Sequence, residues 1–217
     1  MCGMIKGVIF DMDGVLVDSE PFISEAAIKM FAEHGLEVKA QDFIPFVGTG
    51  EDRYLGGVAQ KYNFPIDIAR DKARTYEIYA GIVKNKIKPL PGVEDFIERC
   101  RKNNLKLAVA TSADKIKMVV NLKEIGIGPE TFDAVINGLD VAKKKPHPQI
   151  FIKAAEKLGL LCSETLVVED AVNGVRAAKV AGARCLGLCT SFSPEELGEA
   201  DWTAPDLAHA PAEVLEW

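Results

Sequence analysis

The sequence lacks the features that mark several protein classes. Its 3 histidines have no metal-ligand spacing, and its 5 cysteines form no C-x-x-C pair, which argues against a zinc site or a disulfide framework. No apolar stretch approaches the roughly 20 residues of a membrane span, and the start of the sequence has no secretory signal. The formal net charge is -6 without a long basic run, which argues against nucleic acid or an anionic membrane as partner. We therefore expect a cytoplasmic protein and, by default, a monomer.

What is present is an ordinary globular composition, with 48% hydrophobic and 27% charged residues in 217. Short apolar runs alternate with helical periodicity from residue 89 onward. The predicted strands are 4–10, 105–110, 132–137, 165–170 and 183–189, and the predicted helices between them are 93–101, 113–124, 148–158 and 172–181. This alternation predicts an α/β fold with a doubly wound (Rossmann-like) parallel sheet.

Residues 18–88 interrupt this alternation with helical stretches alone. Ser19 is expected to cap a helix that ends near Gly35, and further helices are predicted over 51–62 and 67–85. The predicted domains are therefore a core formed by 1–17 and 89–217 and an inserted helical cap formed by 18–88. Hinges near 17–18 and 88–91 would let the cap open for substrate and close over it.

Polar residues follow several of the predicted strands directly. In doubly wound sheets, ligands bind at the carboxyl ends of the strands, so these side chains should share one edge of the sheet. They are Asp11 and Asp13 after the first strand, Thr111 and Ser112 after the second, Lys145 in the loop after the third, and Glu169 and Asp170 after the fourth.

This set of residues suits phosphoryl transfer. An ionised Asp11 can attack phosphorus, and a divalent cation is then needed between carboxylate and phosphate. Asp11 and Asp170, with Glu169 in support, provide the oxygen ligands that Mg²⁺ prefers. Lys145 can neutralise the remaining charge. The Asp13 carboxyl group lies close enough to exchange protons with the leaving group and with water.

Simpler explanations exist for each motif taken alone. A D-x-D-G sequence is common in turns, the 169–170 acidic pair could cap a helix, and lysines 143–145 could be a solvated face. "GTG" at 48–50 is weak as a phosphate loop, because no predicted strand precedes it. The common edge of all four sets favours a site over these explanations.

The motifs resemble those of the haloacid dehalogenase superfamily, in order and across the whole chain. "DMDGVLVDS", "VATSAD", "KKKPHPQIF" and "VVEDAVNGVRAAKVAGA" match its four motifs. The helical segment after the first motif is similar to the small cap of the β-phosphoglucomutase and phosphoglycolate phosphatase branch.

The resemblance implies a role for each matching residue. Asp11 is the implied nucleophile and Asp13 the acid/base, which points to a phosphate-ester leaving group rather than to halide or phosphonate chemistry. The implied Mg²⁺ ligands are Asp11, the Asp13 carbonyl and Asp170, with Glu169 adjacent. Phosphate binding is assigned to Thr111, Ser112 and Lys145.

The predicted cap departs from the mutase pattern. Ile23 stands where those mutases have a histidine, and Glu51 where they have an arginine that grips a second phosphate. Substrate specificity is expected at the residues Gly48, Thr49, Glu51 and Arg53, and at 76–79.

We therefore expect a Mg²⁺-dependent phosphatase acting on a small phosphorylated metabolite of the sugar or polyol phosphate class through an aspartyl-phosphate. A phosphosugar mutase is the alternative, and a receiver-type phospho-acceptor module is a more distant one.

Overall fold

Six parallel strands form one sheet in the computed structural model, which describes residues 4–217. Their order across the sheet is β3-β2-β1-β4-β5-β6. The strands are β1 (Gly7–Phe10), β2 (Lys106–Ala110), β3 (Ala134–Ile136), β4 (Thr165–Glu169), β5 (Arg184–Leu188) and β6 (Trp202–Ala204). The predicted α/β class and doubly wound parallel sheet are confirmed. The short edge strand β6 was not predicted, since its three residues carry too little pattern to separate from a loop.

Seven α-helices accompany the sheet within residues 4–217. They are α1 (Glu20–Glu33), α2 (Glu51–Lys61), α3 (Ile68–Val83), α4 (Val93–Lys102), α5 (Lys115–Glu124), α6 (Gln149–Leu158) and α7 (Val172–Ala181). The predicted helices agree within one or two residues, and 172–181 agrees at both ends. Gly159 and Gly182, at φ 69° and 83°, terminate α6 and α7 in the left-handed conformation that glycine adopts readily.

The sheet is buried on both faces, as its continuous apolar strands require. All of β1 is buried, and its side chains alternate: Val8 and Phe10 join one apolar cluster and Ile9 the other. Helices α4 and α5 belong to the cluster of Phe10, whereas α6 and α7 belong to the cluster of Ile9. Buried on both sides, β1 ends at a fixed position, which sets the place of the residues that follow it.

Residues 18–88, which we call the insert, form a helical layer that contains α1, α2 and α3. Helix α3 packs on α1 and on α2, and Phe43 stacks on Tyr54 with ring centroids 4.7 Å apart. The two crossings between core and insert lie side by side: Val17 forms a bridge with Pro89, and Leu90 N donates to Leu16 O at 3.0 Å. The division at residues 17–18 and 88–89 stays a prediction.

Two expectations concern the cysteines and possible membrane spans. Among residues 4–217, the cysteines Cys100, Cys162, Cys185 and Cys189 are free, and Cys2 lies outside the described residues. No helix of that range has the length and apolar character needed to cross a membrane.

Candidate active site

The turn after β1 places Asp11 and Asp13 at the carboxyl edge of the sheet. Asp11 N donates to Val168 O of the neighbouring strand at 2.9 Å, which continues the β1–β4 pairing into the site. Gly14 follows at φ 76°, and a Cβ there would lie 1.9 Å from Asp170 Oδ2. The turn therefore requires glycine for its conformation and for the approach of a carboxylate.

Lys145 joins the acidic groups of two strands. Its Nζ lies 2.6 Å from Asp11 Oδ1 and 2.5 Å from Glu169 Oε1, and all three side chains are buried. Burial alone would lower the pKa of Lys145, but Asp11 and Glu169 outweigh it and the pKa lies above its usual range. The lysine stays charged next to the expected nucleophile.

The acidic residues form one cluster, as the sequence predicts. Carboxylate oxygens of Asp11, Glu169 and Asp170 lie within 4.8 Å of one another. Burial raises the pKa of Asp11 to about 7 despite Lys145. Burial, then Glu169 and Asp11, raise the pKa of Asp170 well above its usual range. Three buried carboxylates against one lysine leave excess negative charge, which a divalent cation would neutralise.

Glu169 and Asp170 differ in how many protein donors they already have. Glu169 Oε2 accepts from the backbone N–H groups of Asp170 and Ala171, both at 2.9 Å, and Oε1 accepts from Lys145. Asp170 Oδ2 accepts from Ser191 Oγ at 2.5 Å. Asp170 and Asp11 thus keep more free acceptor capacity, so the donor set fits Mg²⁺ with Glu169 as a supporting group.

Thr111 and Ser112 lie at the end of β2, before α5 begins. Thr111 is buried, and its Oγ1 accepts from Ala113 N at 3.1 Å. Among residues 4–217, Ser112 Oγ has no hydrogen-bond partner although it is buried. Both side chains border the same cavity as Asp11 and Lys145, a space of about 260 Å³ between core and insert. The structure thus brings every predicted core residue to one cavity, and their individual roles stay predictions.

Asp13 has its own set of donors. Lys117 Nζ of α5 lies 2.9 Å from Oδ2, and Asn121 Nδ2 lies 3.3 Å from Oδ1. Ser19 Oγ also donates to Oδ1. Ser19 occupies the predicted N-cap position of α1, but its hydroxyl donates to Asp13 and makes no cap hydrogen bond.

The insert contributes the opposite wall of the cavity. Gly48 and Glu51, two of the predicted specificity residues, line this wall. The other two, Thr49 and Arg53, line an adjoining cavity of about 530 Å³ that shares Glu51 with the first. The predicted specificity surface at 76–79 is not supported: Tyr76 and Tyr79 are buried and do not border either cavity.

Three further residues line the first cavity and were not predicted from the sequence: Lys117, Glu20 and Tyr54. Tyr54 donates to Glu20 Oε1 at 2.6 Å, and burial raises the pKa of Glu20 to about 7. Lys117 also lies 3.5 Å from Glu51 Oε1. A signal for Lys117 was present, because Lys117 and Asn121 interrupt the apolar stripe of α5 at i, i+4 spacing.

Comparison with known proteins agrees with this geometry. The family profile of haloacid dehalogenase-like hydrolases matches residues 5–182. Phosphoglycolate phosphatase of Yersinia pseudotuberculosis is 32% identical over 94% of the chain and 90% of that protein. The crystal structure of CbbY from Rhodobacter sphaeroides in complex with phosphate superimposes with a TM-score of 0.88, at 27% identity, over 99% of this chain and 100% of that one. The chain therefore belongs to the haloacid dehalogenase-like hydrolases and is an enzyme of the phosphoric monoester hydrolase class.

A plant relative is more similar in sequence but much longer. The chain is 42% identical to SUPPRESSOR OF QUENCHING 1, a chloroplastic protein of Arabidopsis thaliana, over 91% of its own length. It spans only 19% of that protein. The expected cytoplasmic location stays a prediction.

Proposed function

We propose that this chain is a Mg²⁺-dependent phosphatase that hydrolyses a small, hydroxyl-rich phosphate ester through an aspartyl-phosphate on Asp11. One observation carries this proposal: the buried Asp11 carboxylate is paired with Lys145 in the lining of a cavity that Asp13, Glu169 and Asp170 also line. A nucleophile, a cation for the phosphoryl oxygens and a proton carrier thus lie together.

The proposed reaction has two displacements. An Asp11 oxygen attacks phosphorus, the bond from phosphorus to the ester oxygen breaks, and Asp13 gives its proton to that oxygen. Asp13 then takes a proton from water, whose oxygen attacks phosphorus. The bond between phosphorus and Asp11 breaks, inorganic phosphate leaves, and both aspartates return to their starting states.

Mg²⁺ would be held by Asp11 and Asp170 with Glu169 in support. It would offset the repulsion between the carboxylates and the phosphoryl group. Lys145 holds the Asp11 carboxylate in place, and Ser112 has a free hydroxyl that can donate to a phosphoryl oxygen. The insert closes the cavity and keeps bulk water from the acyl phosphate.

We call the side of the cavity lined by Glu20, Glu51 and Lys117 the leaving-group wall. Its charges favour a substrate whose leaving group is uncharged apart from the phosphate ester. Glu20 and Glu51 border this side of the cavity, and the nearby Lys117 is already paired with Asp13 and Glu51. A second phosphate would meet more negative than positive charge, whereas sugar or polyol hydroxyls could donate to the carboxylates. This supports a phosphatase over a mutase that must hold a bisphosphate.

The experiment is a panel of sugar and polyol monophosphates assayed for inorganic phosphate with Mg²⁺ or EDTA. Asp11→Asn should reduce release to background, and the exposed Asp95→Asn, which removes the same charge on α4, should leave it unchanged. Borohydride reduction during turnover should convert Asp11 alone to homoserine, as found by mass spectrometry. Turnover by Asp11→Asn, or full activity in EDTA, would refute the proposal. Isomerisation of a hexose phosphate without net phosphate release would instead indicate the mutase.

A further inference from the structure

Helix α5 carries two polar side chains that contact both the expected acid/base and the insert. Lys117 and Asn121 are one turn apart on its buried face, with Lys117 4% and Asn121 0% exposed. Each donates to a different oxygen of Asp13. Each also has a partner in the insert, Glu51 for Lys117 and Tyr79 for Asn121. Lys117 and Asn121 therefore link Asp13 to the insert by two separate sets of contacts. We call them the Lys117 arm (Glu51, Lys117, Asp13) and the Asn121 arm (Tyr79, Asn121, Asp13).

The Lys117 arm is ionic. Burial alone would lower its pKa, but Asp13 and Glu51 outweigh burial, so the pKa lies well above its usual range and the ammonium group stays charged. Glu51 is the first residue of α2, so the position of the ammonium group depends on where α2 lies. If the insert moved away, Lys117 would lose one of its two carboxylate partners.

The Asn121 arm consists of two successive hydrogen bonds whose donors are uncharged. Tyr79 of α3 donates its hydroxyl proton to Asn121 Oδ1 at 2.5 Å, and Asn121 Nδ2 donates to Asp13 Oδ1. The Tyr79 side chain is fully buried. Since the tyrosine occupies the amide oxygen, it fixes the amide orientation and turns the amide N–H towards Asp13.

We propose that Lys117 and Asn121 are positioning residues that orient the Asp13 carboxylate for proton transfer when the insert is closed. The Asp13 side chain is 30% exposed and borders the cavity, so it can reach a leaving group while its direction is fixed. Closure of the insert would thus orient the Asp13 carboxyl group for proton transfer, in addition to excluding water. This inference rests on the proposed phosphatase reaction.

The test uses leaving groups that differ in their need for an acid. A p-nitrophenolate leaves without a proton, whereas a sugar or polyol oxygen does not, so poor orientation of Asp13 should affect the second kind alone. Lys117→Met and Asn121→Leu should lower kcat/KM by about 10-fold or more for the alkyl phosphate turned over fastest in the panel. For p-nitrophenyl phosphate the loss should be at most about 3-fold, because general acid catalysis supplies little there.

Two controls separate positioning from a structural role. Lys72 of α3 pairs with Asp114 at 2.7 Å and Asp52 at 2.6 Å, so it also ties insert to core but without touching Asp13. Lys72→Met should lower kcat/KM for both substrates by similar factors. The exposed Lys115→Met, on the same helix as Lys117, should change neither substrate.

A double-mutant cycle completes the test. In an Asp13→Asn background, Lys117→Met should add little further loss for the alkyl phosphate, since the group that it positions is gone. Additive losses, or equal losses on both substrates, would overturn the inference. Should Lys117→Met fail to fold, Asn121→Leu and Tyr79→Phe decide the question by the same comparison. Wild-type inactivity, or turnover by Asp11→Asn, would refute the phosphatase itself.

Discussion

Replacing Asp170 by Asn should stabilise the metal-free protein and destabilise it relative to wild type when Mg²⁺ is present. Without a cation, Asp11, Glu169 and Asp170 share a buried site with one lysine, and Asp170 is held with its pKa raised by burial and by both neighbours. An amide removes a buried charge and its repulsions while still accepting from Ser191. The same change removes an expected Mg²⁺ ligand.

The magnitude follows from the geometry. Two ionised carboxylates with oxygens no more than 4.8 Å apart repel by roughly 3 kcal/mol or more at an effective dielectric constant of ~20. Lys145 and partial protonation offset much of this, so we expect a net gain of about 1–2 kcal/mol at pH 8 in EDTA, or about 2–8 °C in Tm. Wild type should gain about 2.7 kcal/mol at a Mg²⁺ concentration 100 times Kd, whereas Asp170→Asn should gain little.

Urea unfolding and thermal melts at pH 8, in EDTA and in excess MgCl₂, measure both effects. Asp95→Asn serves as the control, because Asp95 is exposed on α4 and lines neither cavity. Asp95 lies in the first turn of α4, so Asp95→Asn should cost up to about 1 kcal/mol, and this cost should be the same in both buffers. A loss of stability by Asp170→Asn in EDTA, or Mg²⁺ stabilisation equal to that of wild type, would show that the carboxylate cluster does not repel or does not bind the cation as argued.

Two further predictions concern the turn after β1 and the leaving-group wall. Gly14→Ala should cost about 2–4 kcal/mol and abolish turnover, because a Cβ there overlaps Asp170. A Cβ added at Gly35, at φ 77°, would meet no neighbouring atom of residues 4–217 within 4 Å. Gly35→Ala should therefore cost only about 1–2 kcal/mol and keep activity, which urea unfolding and a phosphate-release assay would measure. Glu20 has its pKa raised by burial to about 7, so it contributes stability that is present below about pH 4 and lost as pH rises through 7. In Glu20→Gln the free energy of unfolding should therefore depend less on pH between pH 5 and 8. At pH 8 it should be about 1 kcal/mol higher than in wild type, allowing for solvent in the cavity. An unchanged pH dependence would contradict this.

The fold and the core of the site could be predicted because their signals are local. A strand buried on both faces appears as a continuous apolar run, and the polar residues at its end must lie at the sheet edge. Asp11 and Asp170 each follow a strand directly, and Lys145 lies in the loop after β3, although the three come from distant segments. Sheet topology then brings them together without further information.

The contacts that α5 makes with Asp13 and with the insert could not be predicted, because they join residues distant in sequence. Lys117 meets Asp13 across 104 residues, and nothing near Lys117 specifies which carboxylate it pairs with. Residues 76–79 are predicted to form part of the specificity surface, but the sequence alone does not determine which way Tyr79 faces. Packing against α5 decides its direction, and it points to Asn121.

The bridge between Val17 and Pro89 has a consequence for how the protein can vary. It holds the two ends of the insert next to each other, so the insert acts as a loop whose ends are fixed at neighbouring positions of the core. Loop-closure entropy grows only with the logarithm of length, about 0.6 kcal/mol for each doubling. An insert of different length or sequence could therefore replace this one at little cost to the core, provided that it supplies partners for α5.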